Sequence, residues 1–281
     1  MKADLHVHSH YSDGSDSVEE LMKQAVKANV THMSIVDHDT VTGWPEVKKM
    51  GDLYGVDVFP GVEISAYDMK RDRKVHVLGY HYRTDAPHIT ALCTPLLQRR
   101  QENSLWQIEQ IRSLGYQLDP DRILETAKPS QTIYKQHIMH YVTNEPYTSD
   151  NYRQEYRSLF KGKAVANRDI AYVDVFDAVK AILLDGGIAV VAHPGQLNSY
   201  ELIPELVEVG LGGIELAHPD HTEADHQRVK ELADQYKLIM TGGTDFHGKF
   251  GMKIGLGDLT SPEIPFVHDE RVRGKVIIDK S

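Results

Sequence analysis

The stretch A-D-L-H-V-H-S-H-Y-S-D-G, residues 3–14, opens on what reads as a buried first strand and carries histidine at every second position from His6 to His10. On a strand, alternate side chains share a face, so His6 and His8 point the same way and can grip one cation. Two histidines on a strand also occur without a metal, and the pair alone leaves both readings open. Whatever the fold, it has to bring this polar face somewhere that satisfies it.

The rest of the chain narrows the choice. Strand-like runs fall at Ala3–Val7, His32–Val36, Val56–Pro60, Lys74–Tyr80, Ile188–Ala192, Gly213–Leu216 and Leu238–Thr241. Amphipathic stretches lie between several of them. Ser17-Val-Glu-Glu20 has the spacing of a capping box and predicts a helix reaching about Ala28. Tyr172–Leu184, Tyr200–Val209 and Thr222–Tyr236 read as helices too. Alternating β and α with buried strands predicts an α/β fold: a parallel sheet covered by helices, open or closed into a barrel. One region breaks the rhythm. From about His88 to Ala166 there are helical patterns (Pro95–Leu114, Pro120–Thr126, Thr132–Tyr141, Tyr152–Phe160) and no strand. The expected organisation is therefore a first α/β part over 1–88, a helical insertion over 89–166 and a second α/β part over 167–281.

Further imidazoles and carboxylates fall at the ends of the expected strands. The second runs into V-D-H-D with His38, and the third leads through a Pro-Gly turn into Glu63. The fourth carries His76 inside it, the fifth ends in V-A-H-P with His193, and the seventh ends in T-D-F-H with Asp245 and His247. Asp13 follows the first strand. Parallel α/β folds place active sites at the carboxyl ends of their strands. Six histidines and three carboxylates gathered there are costly without a cation and too many for a single ion. Imidazole and carboxylate without thiolate suit Zn²⁺, Mn²⁺ or Fe²⁺. Three divalent ions against three carboxylates leave a positive balance, which favours phosphate oxygens and ionised water, and so hydrolysis.

Composition excludes several classes. The formal net charge of −10 argues against a broad grip on long nucleic acid, though not against a short phosphorylated substrate held by metal ions. The single cysteine, Cys93, permits neither an internal disulfide framework nor a thiolate zinc site. It sits in the helix-like run I-T-A-L-C-T-P-L-L and reads as buried filler. No apolar signal region precedes the first strand, and no apolar run approaches the ~18–20 residues of a membrane span, so a cytoplasmic protein with no membrane contact is expected.

Together, H-V-H with S-D-G, V-D-H-D, V-A-H-P and T-D-F-H, with Glu63 and His76, resemble the PHP superfamily of polymerase and histidinol-phosphatase domains. The resemblance implies a distorted seven-stranded (β/α) barrel with two or three divalent ions. It also implies a division of the ligands. His6, His8, Glu63 and Asp245 would hold one metal; Glu63, as a bridge, with His76 and His193 a second; Asp13, His38 and His247 a third. A hydroxide bridging the metals would attack phosphorus.

P-G-V-E-I-S, G-I-E with a following H-P-x-H, and T-G-G-T-D-F-H-G look most like the stand-alone branch with a helical insertion. Members of that branch hydrolyse 5′-nucleotides or 3′,5′-bisphosphonucleotides, or trim short 5′-phosphorylated RNA. Two departures bear on substrate. Lys135 stands where the branch commonly has an arginine, and Gln196 stands where another follows H-P-G. Lysine keeps the charge but loses the bidentate fork, and glutamine loses the charge. Arg99, Arg100 or Lys163 could replace the phosphate contact. Asp37 and Asp39 are candidates for orienting ligand imidazoles. His218 and His221 face the same mouth, and His221, matching the H-P-x-H position, is the candidate general acid. The function expected is hydrolysis of a phosphate ester of a small nucleotide or short oligonucleotide. The alternatives are histidinol-phosphate hydrolysis and a non-catalytic PHP module.

Overall fold

The computed structural model describes residues 1–266 and 269–272, so His268 and the last nine residues assigned to the second α/β part lie outside the described residues. β1 (Ala3–Val7), β2 (His32–Ile35) and β3 (Asp57–Val58) form a small parallel sheet. β4 (Gly61–Asp68), β5 (Arg73–Tyr80), β6 (Val173–Asp174), β7 (Ile188–Val191), β8 (Gly213–Ala217) and β9 (Ile239–Gly242) form a second sheet in the order β6-β4-β5-β7-β8-β9. Isolated parallel bridges tie His38 to Glu63 and Val7 to Phe246, so the small sheet touches the large one on both sides.

The fold is α/β, but its second sheet is mixed rather than parallel. β4 pairs antiparallel with β5, and β5 antiparallel with β7. The cause is a tight turn after β4. Asp68 Oδ1 accepts from the amides of Lys70 (3.1 Å) and Arg71 (3.3 Å), and Asp72 adopts φ +52°. Four residues are too few for the crossover that a parallel neighbour requires. Glu63 therefore lies inside β4, not beyond a turn that follows β3. Buried on both faces and interrupted by Glu63 and Ser65, this strand shows no clean alternation in sequence.

Ten helices follow the order α1 (Val18–Lys27), α2 (Trp44–Tyr54), α3 (Pro87–Arg112), α4 (Pro120–Ala127), α5 (Lys135–Val142), α6 (Asp150–Phe160), α7 (Val175–Leu184), α8 (Pro194–Leu197), α9 (Ile203–Glu208) and α10 (Glu223–Tyr236) among the described residues. The capping box at α1 forms as its spacing predicts, with Glu20 N donating to Ser17 Oγ and Ser17 N to Glu20 Oε2. α3 begins at Pro87, eight residues before the expected Pro95, which lies inside it. Its first turn is capped from a distance: Asp185, 96 residues on, accepts from Ile89 N at 2.8 Å. The first half of α3 packs on the core between α7 and the large sheet, through Ile89, Cys93 and Leu96. The second half, with Ile108 and Ile111, joins α4–α6 in a separate apolar cluster that includes Ile123, Ile138 and Phe160. No helix among the described residues is long and apolar enough to cross a membrane.

The close approach of β9 to β1 accounts for the paired glycines of T-G-G-T. A Cβ on Gly243 would stand 2.4 Å from His6 N, and one on Gly242 would stand 2.5 Å from Ala217 Cβ. Asp4, wholly buried, locks the same junction by accepting from Thr244 N, Thr244 Oγ1 and Gly257 N. Gly243→Ala is expected to destabilise the protein by about 1–3 kcal/mol, because backbone atoms cannot move aside as a flexible side chain can. Thermal unfolding checks this, and an unchanged melting temperature would contradict the packing described.

Candidate metal centre

The nine residues expected to carry metal come together. His6 projects from β1 and His8 from just beyond it, His38 follows β2, and Glu63 and His76 face each other from β4 and β5. His193 follows β7, Asp245 and His247 follow β9, and Asp13 reaches in from the loop after β1. Glu63 is at the middle, fully buried. Its Oε2 lies 3.2 Å from His6 Nε2, 3.1 Å from His8 Nε2 and 3.5 Å from His38 Nδ1; its Oε1 lies 2.8 Å from both His76 Nδ1 and His193 Nε2. Asp245 Oδ1 stands 3.3 Å from His6 Nε2 and 3.2 Å from His8 Nε2. Asp13 Oδ1 stands 3.3 Å from His247 Nε2.

Three sets of ligand atoms lie close enough to surround an ion: His6, His8, Glu63 and Asp245; His8, Asp13, His38 and His247; and His38, Glu63 and His76. The first matches the set implied by the resemblance. In the others His8 and His38 are each shared between neighbouring sets, and His193 meets the centre through Glu63 Oε1.

The donors themselves fit cations. Both ring nitrogens of His8, Nδ1 of His38 and of His193, and Oδ1 of Asp13 are buried without a hydrogen bond, although oxygens and nitrogens crowd them. His8, His38 and Asp13 also fall in the sets of atoms close enough to share an ion, and a buried polar atom left without a partner is costly. The titration of the groups agrees. Burial opposes the charged form of His8, yet Asp245 and Glu63 outweigh it and raise its pKa to about 10. Burial likewise opposes charge on His6, and Glu215, Glu63 and Asp245 hold its pKa well above the ordinary value. Burial would raise the pKa values of Glu63 and Asp245, but the surrounding imidazoles keep both well below the carboxylate range. His38 goes the other way, as burial lowers its pKa to about 4. The cluster is thus a set of carboxylates and imidazoles that calls for positive charge, carried by protons on rings such as His6 and His8 or by metal ions in their place.

Several supporting roles differ from those expected. Asp37 orients no imidazole: it accepts from Ser9 N, Ser9 Oγ and Ser12 Oγ, and so fixes the loop that delivers Asp13. Asp39 accepts from Ser65 N at 2.7 Å and from Arg100 at 2.6 Å. The imidazole-orienting carboxylate is Glu215 on β8, whose Oε1 lies 2.9 Å from His6 Nδ1 while its Oε2 accepts from His193 N at 2.7 Å. The sequence signal for it was the G-I-E run, a fully buried acid on a strand. His221 does not face the centre with a free proton. Its Nε2 accepts from Gly195 N and its Nδ1 donates to Leu216 O, which consumes both ring nitrogens. His218 reaches the centre instead: Nδ1 accepts from Asp220 N, which leaves the proton on Nε2, 3.3 Å from Asp245 Oδ2. Gln136 Nε2 donates to Asp13 Oδ2 at 2.9 Å and Tyr134 Oη to His38 O at 3.0 Å, contacts that bring α5 to the site and that no motif signalled. His193, Asp245 and Asp39, three of the nine non-glycine residues with positive φ among the described residues, take φ of +24°, +49° and +59° where side chains must be aimed.

The candidate substrate residues separate. Lys135 and Arg100 line a cavity of about 860 Å³ that runs from Asp13, His38 and His76 to α5 and α6. Arg100 is already engaged by Asp39 and Ser65 and lies over the Tyr134 ring. Gln196 donates to Asp220 and borders a smaller recess beside His218 and Asp245. Arg99 bonds Ala171 O, and Lys163 is exposed; neither lines these cavities.

Removing the negative charge behind His6 tests the arrangement. Glu215→Gln keeps the shape but weakens the hold on the ring, and metal affinity should fall about 10–100-fold. Competition with a chromogenic chelator measures it, and wild-type affinity in the variant would deny Glu215 this role.

Comparison with known proteins agrees with the site. Over 251 residues the chain is 52% identical to phosphoribosyl 1,2-cyclic phosphate 1,2-diphosphodiesterase from Eggerthella lenta, covering 89% of this chain and 96% of that one. It is 29% identical to a 5′-3′ exoribonuclease from Haemophilus influenzae over 94% and 97% of the two chains. The structure of a proposed metal-dependent phosphoesterase from Bifidobacterium adolescentis superposes with a TM-score of 0.83 at 26% identity, over 97% and 94%. The PHP domain model matches residues 4–243, from β1 to the end of β9. The chain belongs to the PHP domain family and is a metal-dependent phosphoesterase.

Proposed function

We propose that the enzyme hydrolyses a phosphate ester of a small phosphorylated ribose compound, a cyclic ribose phosphate or a small nucleotide, at a centre of two or three Mn, Fe or Zn ions. The observation that carries this reading is the nine-residue centre opening into a cation- and tyrosine-lined cavity of about 860 Å³, the size of a small-molecule site. The relative acting on phosphoribosyl 1,2-cyclic phosphate supports the ribose scaffold, and the exoribonuclease supports the nucleotide.

His6, His8, Glu63 and Asp245 would hold one ion, Glu63 with His76 and His193 a second, and Asp13, His38 and His247 a third. When bound, such ions polarise phosphoryl oxygens and lower the pKa of water. The protein's own groups supply the rest. Glu215 holds the His6 ring with Nε2 toward the centre. Gln136 and the Asp37–Ser12 contact keep Asp13 in place. His218 holds its Nε2 proton against Asp245 Oδ2 at the wall of the recess, and would release it from that contact to a departing alkoxide. Lys135 and Arg100 offer positive charge to the substrate from the cavity wall. That charge disfavours histidinol phosphate, which carries an ammonium group of its own.

The same reading extends to the architecture. The two bridges between the sheets support a distorted barrel of β1, β2, β4, β5, β7, β8 and β9. The separate apolar cluster of α3–α6 supports a helical insertion over 89–166 that roofs the mouth.

Hydrolysis should vanish on treatment with a chelator and return on adding Mn²⁺, Fe²⁺ or Zn²⁺. Glu63→Gln should lower kcat/KM by about 10²–10³ or more. A panel of phosphoribosyl 1,2-cyclic phosphate, 3′,5′-bisphosphoadenosine, 5′-AMP, short 5′-phosphorylated RNA and histidinol phosphate, followed by phosphate release and product analysis, tests the substrate class. Preference for histidinol phosphate would refute it.

A further inference from the structure

Three cavities meet at one point beside the metal centre. The main one, of about 860 Å³, has Asp13, His38 and His76 in its wall, and the recess, of about 90 Å³, has His218, Asp245 and His247. A third, of about 500 Å³, lies between α5 and the segment 248–253. Gln136 and Tyr147 line all three, and no other residue does. Gln136 is committed, since its Nε2 donates to Asp13 Oδ2 at 2.9 Å. Tyr147 is not: among the described residues no hydrogen bond engages its hydroxyl.

The loop between α5 and α6 is built to hold Tyr147 there. Thr143 Oγ1 accepts from Glu145 N at 3.2 Å, and Ser149 N donates to Pro146 O at 2.9 Å, closing a four-residue turn with Tyr147 at its second position. Ser149 Oγ then caps α6 by accepting from Tyr152 N at 3.0 Å, and the Tyr152 ring lies 5.2 Å from that of Tyr147. The residue is 37% exposed, so the packed ring still opens to the cavities. Burial, then Asp245, Asp13 and Asp220, raises the Tyr147 pKa, and the hydroxyl stays protonated at neutral pH. Those carboxylates border the centre from two sides, Asp13 in the main cavity and the other two in the recess. A protonated hydroxyl without a partner, where the cavities converge on the centre, is a donor held in reserve. A neutral donor suits that place, because a lysine or arginine there would be repelled by bound metal ions.

We infer that Tyr147 is a catalytic residue, whose hydroxyl donates a hydrogen bond to a non-bridging oxygen of the phosphoryl group under attack. The inference rests on the phosphoesterase reading above. The proton stays on the tyrosine throughout. The bond strengthens as negative charge gathers on the phosphoryl oxygen, so it favours the transition state over the bound ester. It makes no demand on the alcohol side of the ester, and so serves the reaction whichever compound is bound.

Tyr147→Phe keeps the ring and its packing on Tyr152 and removes only the donor. Its melting curve, and its metal content by elemental analysis, should match the wild type. Hydrolysis of the ester that the substrate panel selects should lose about ten- to a hundredfold in kcat, with a smaller change in KM. Orthovanadate, a mimic of the reacting phosphoryl group that carries no alcohol, isolates the contact from the leaving group. Its calorimetric affinity for the metal-loaded protein should fall about tenfold or more in the variant. Wild-type kcat or wild-type vanadate affinity in Tyr147→Phe would overturn the assignment. Metal lost together with activity would overturn it too, by making Tyr147 a support for the ligands instead. If the wild type hydrolyses no ester of the panel yet binds vanadate more tightly than the variant, the phosphoesterase reading falls and the hydrogen bond is upheld.

Discussion

Glu63 has no access to solvent, and its two oxygens lie between 2.8 and 3.5 Å from five imidazoles: His6, His8, His38, His76 and His193. A buried carboxylate surrounded in this way is tolerable only if positive charge is present, as protons on the rings or as metal ions. Because the five rings come from β1, β5 and the segments that follow β1, β2 and β7, satisfying one carboxylate fixes where both sheets must end. The His38–Glu63 bridge is the backbone trace of that requirement, and the Val7–Phe246 bridge performs the same service for Asp245 and His247.

Around this centre the polar interior is layered. Glu215 holds His6 and the His193 backbone, Asp37 holds the loop that presents Asp13, and Asp4 holds the segment that presents Asp245. Each is a buried acid whose oxygens are occupied by nearby donors, and each acts by placing another residue. Asp39 is the link outward. Through Arg100 it joins β4 to α3, so the long helix that carries the cavity roof is anchored within one side chain of the centre. Catalytic centre and cavity wall are therefore mechanically one unit, while their charges are opposite: carboxylate-rich where metals would bind, cationic where a substrate would extend.

The nine clustered positions were legible because ligand spacing is a local property. H-V-H sets two imidazoles on one face by strand geometry, and V-D-H-D, V-A-H-P and T-D-F-H put a donor where a strand must stop. The hairpin of β4 and β5 was not legible as such. Its first strand is buried on both sides and broken by Glu63 and Ser65, so it resembled a turn leading out of β3, and the sheet was expected to be parallel. The start of α3 was hidden by Pro95 and is secured by Asp185, a residue almost a hundred positions away. His218 and His221 stand three residues apart in one loop, and nothing in their spacing says which ring meets a carboxylate of the centre. Gly195 N and Leu216 O decide it.

The sequence by itself determined the chemistry: imidazole and carboxylate without thiolate, at strand ends, in a pattern that already names divalent ions and phosphate. Those facts survive any arrangement of the chain because they reside in residue type and in separations of a few positions. Only the tertiary structure decided which acids serve the ligands and which serve the loops, that Glu63 on β4 is the point where β1, β2, β5 and β7 deliver their imidazoles, and that Lys135, Arg157 and Lys161 line one cavity with no carboxylate partner among the described residues. Pairing and its absence are properties of space. A lysine in a sequence is a charge of unknown company, and its meaning appears only when every oxygen near it has been accounted for.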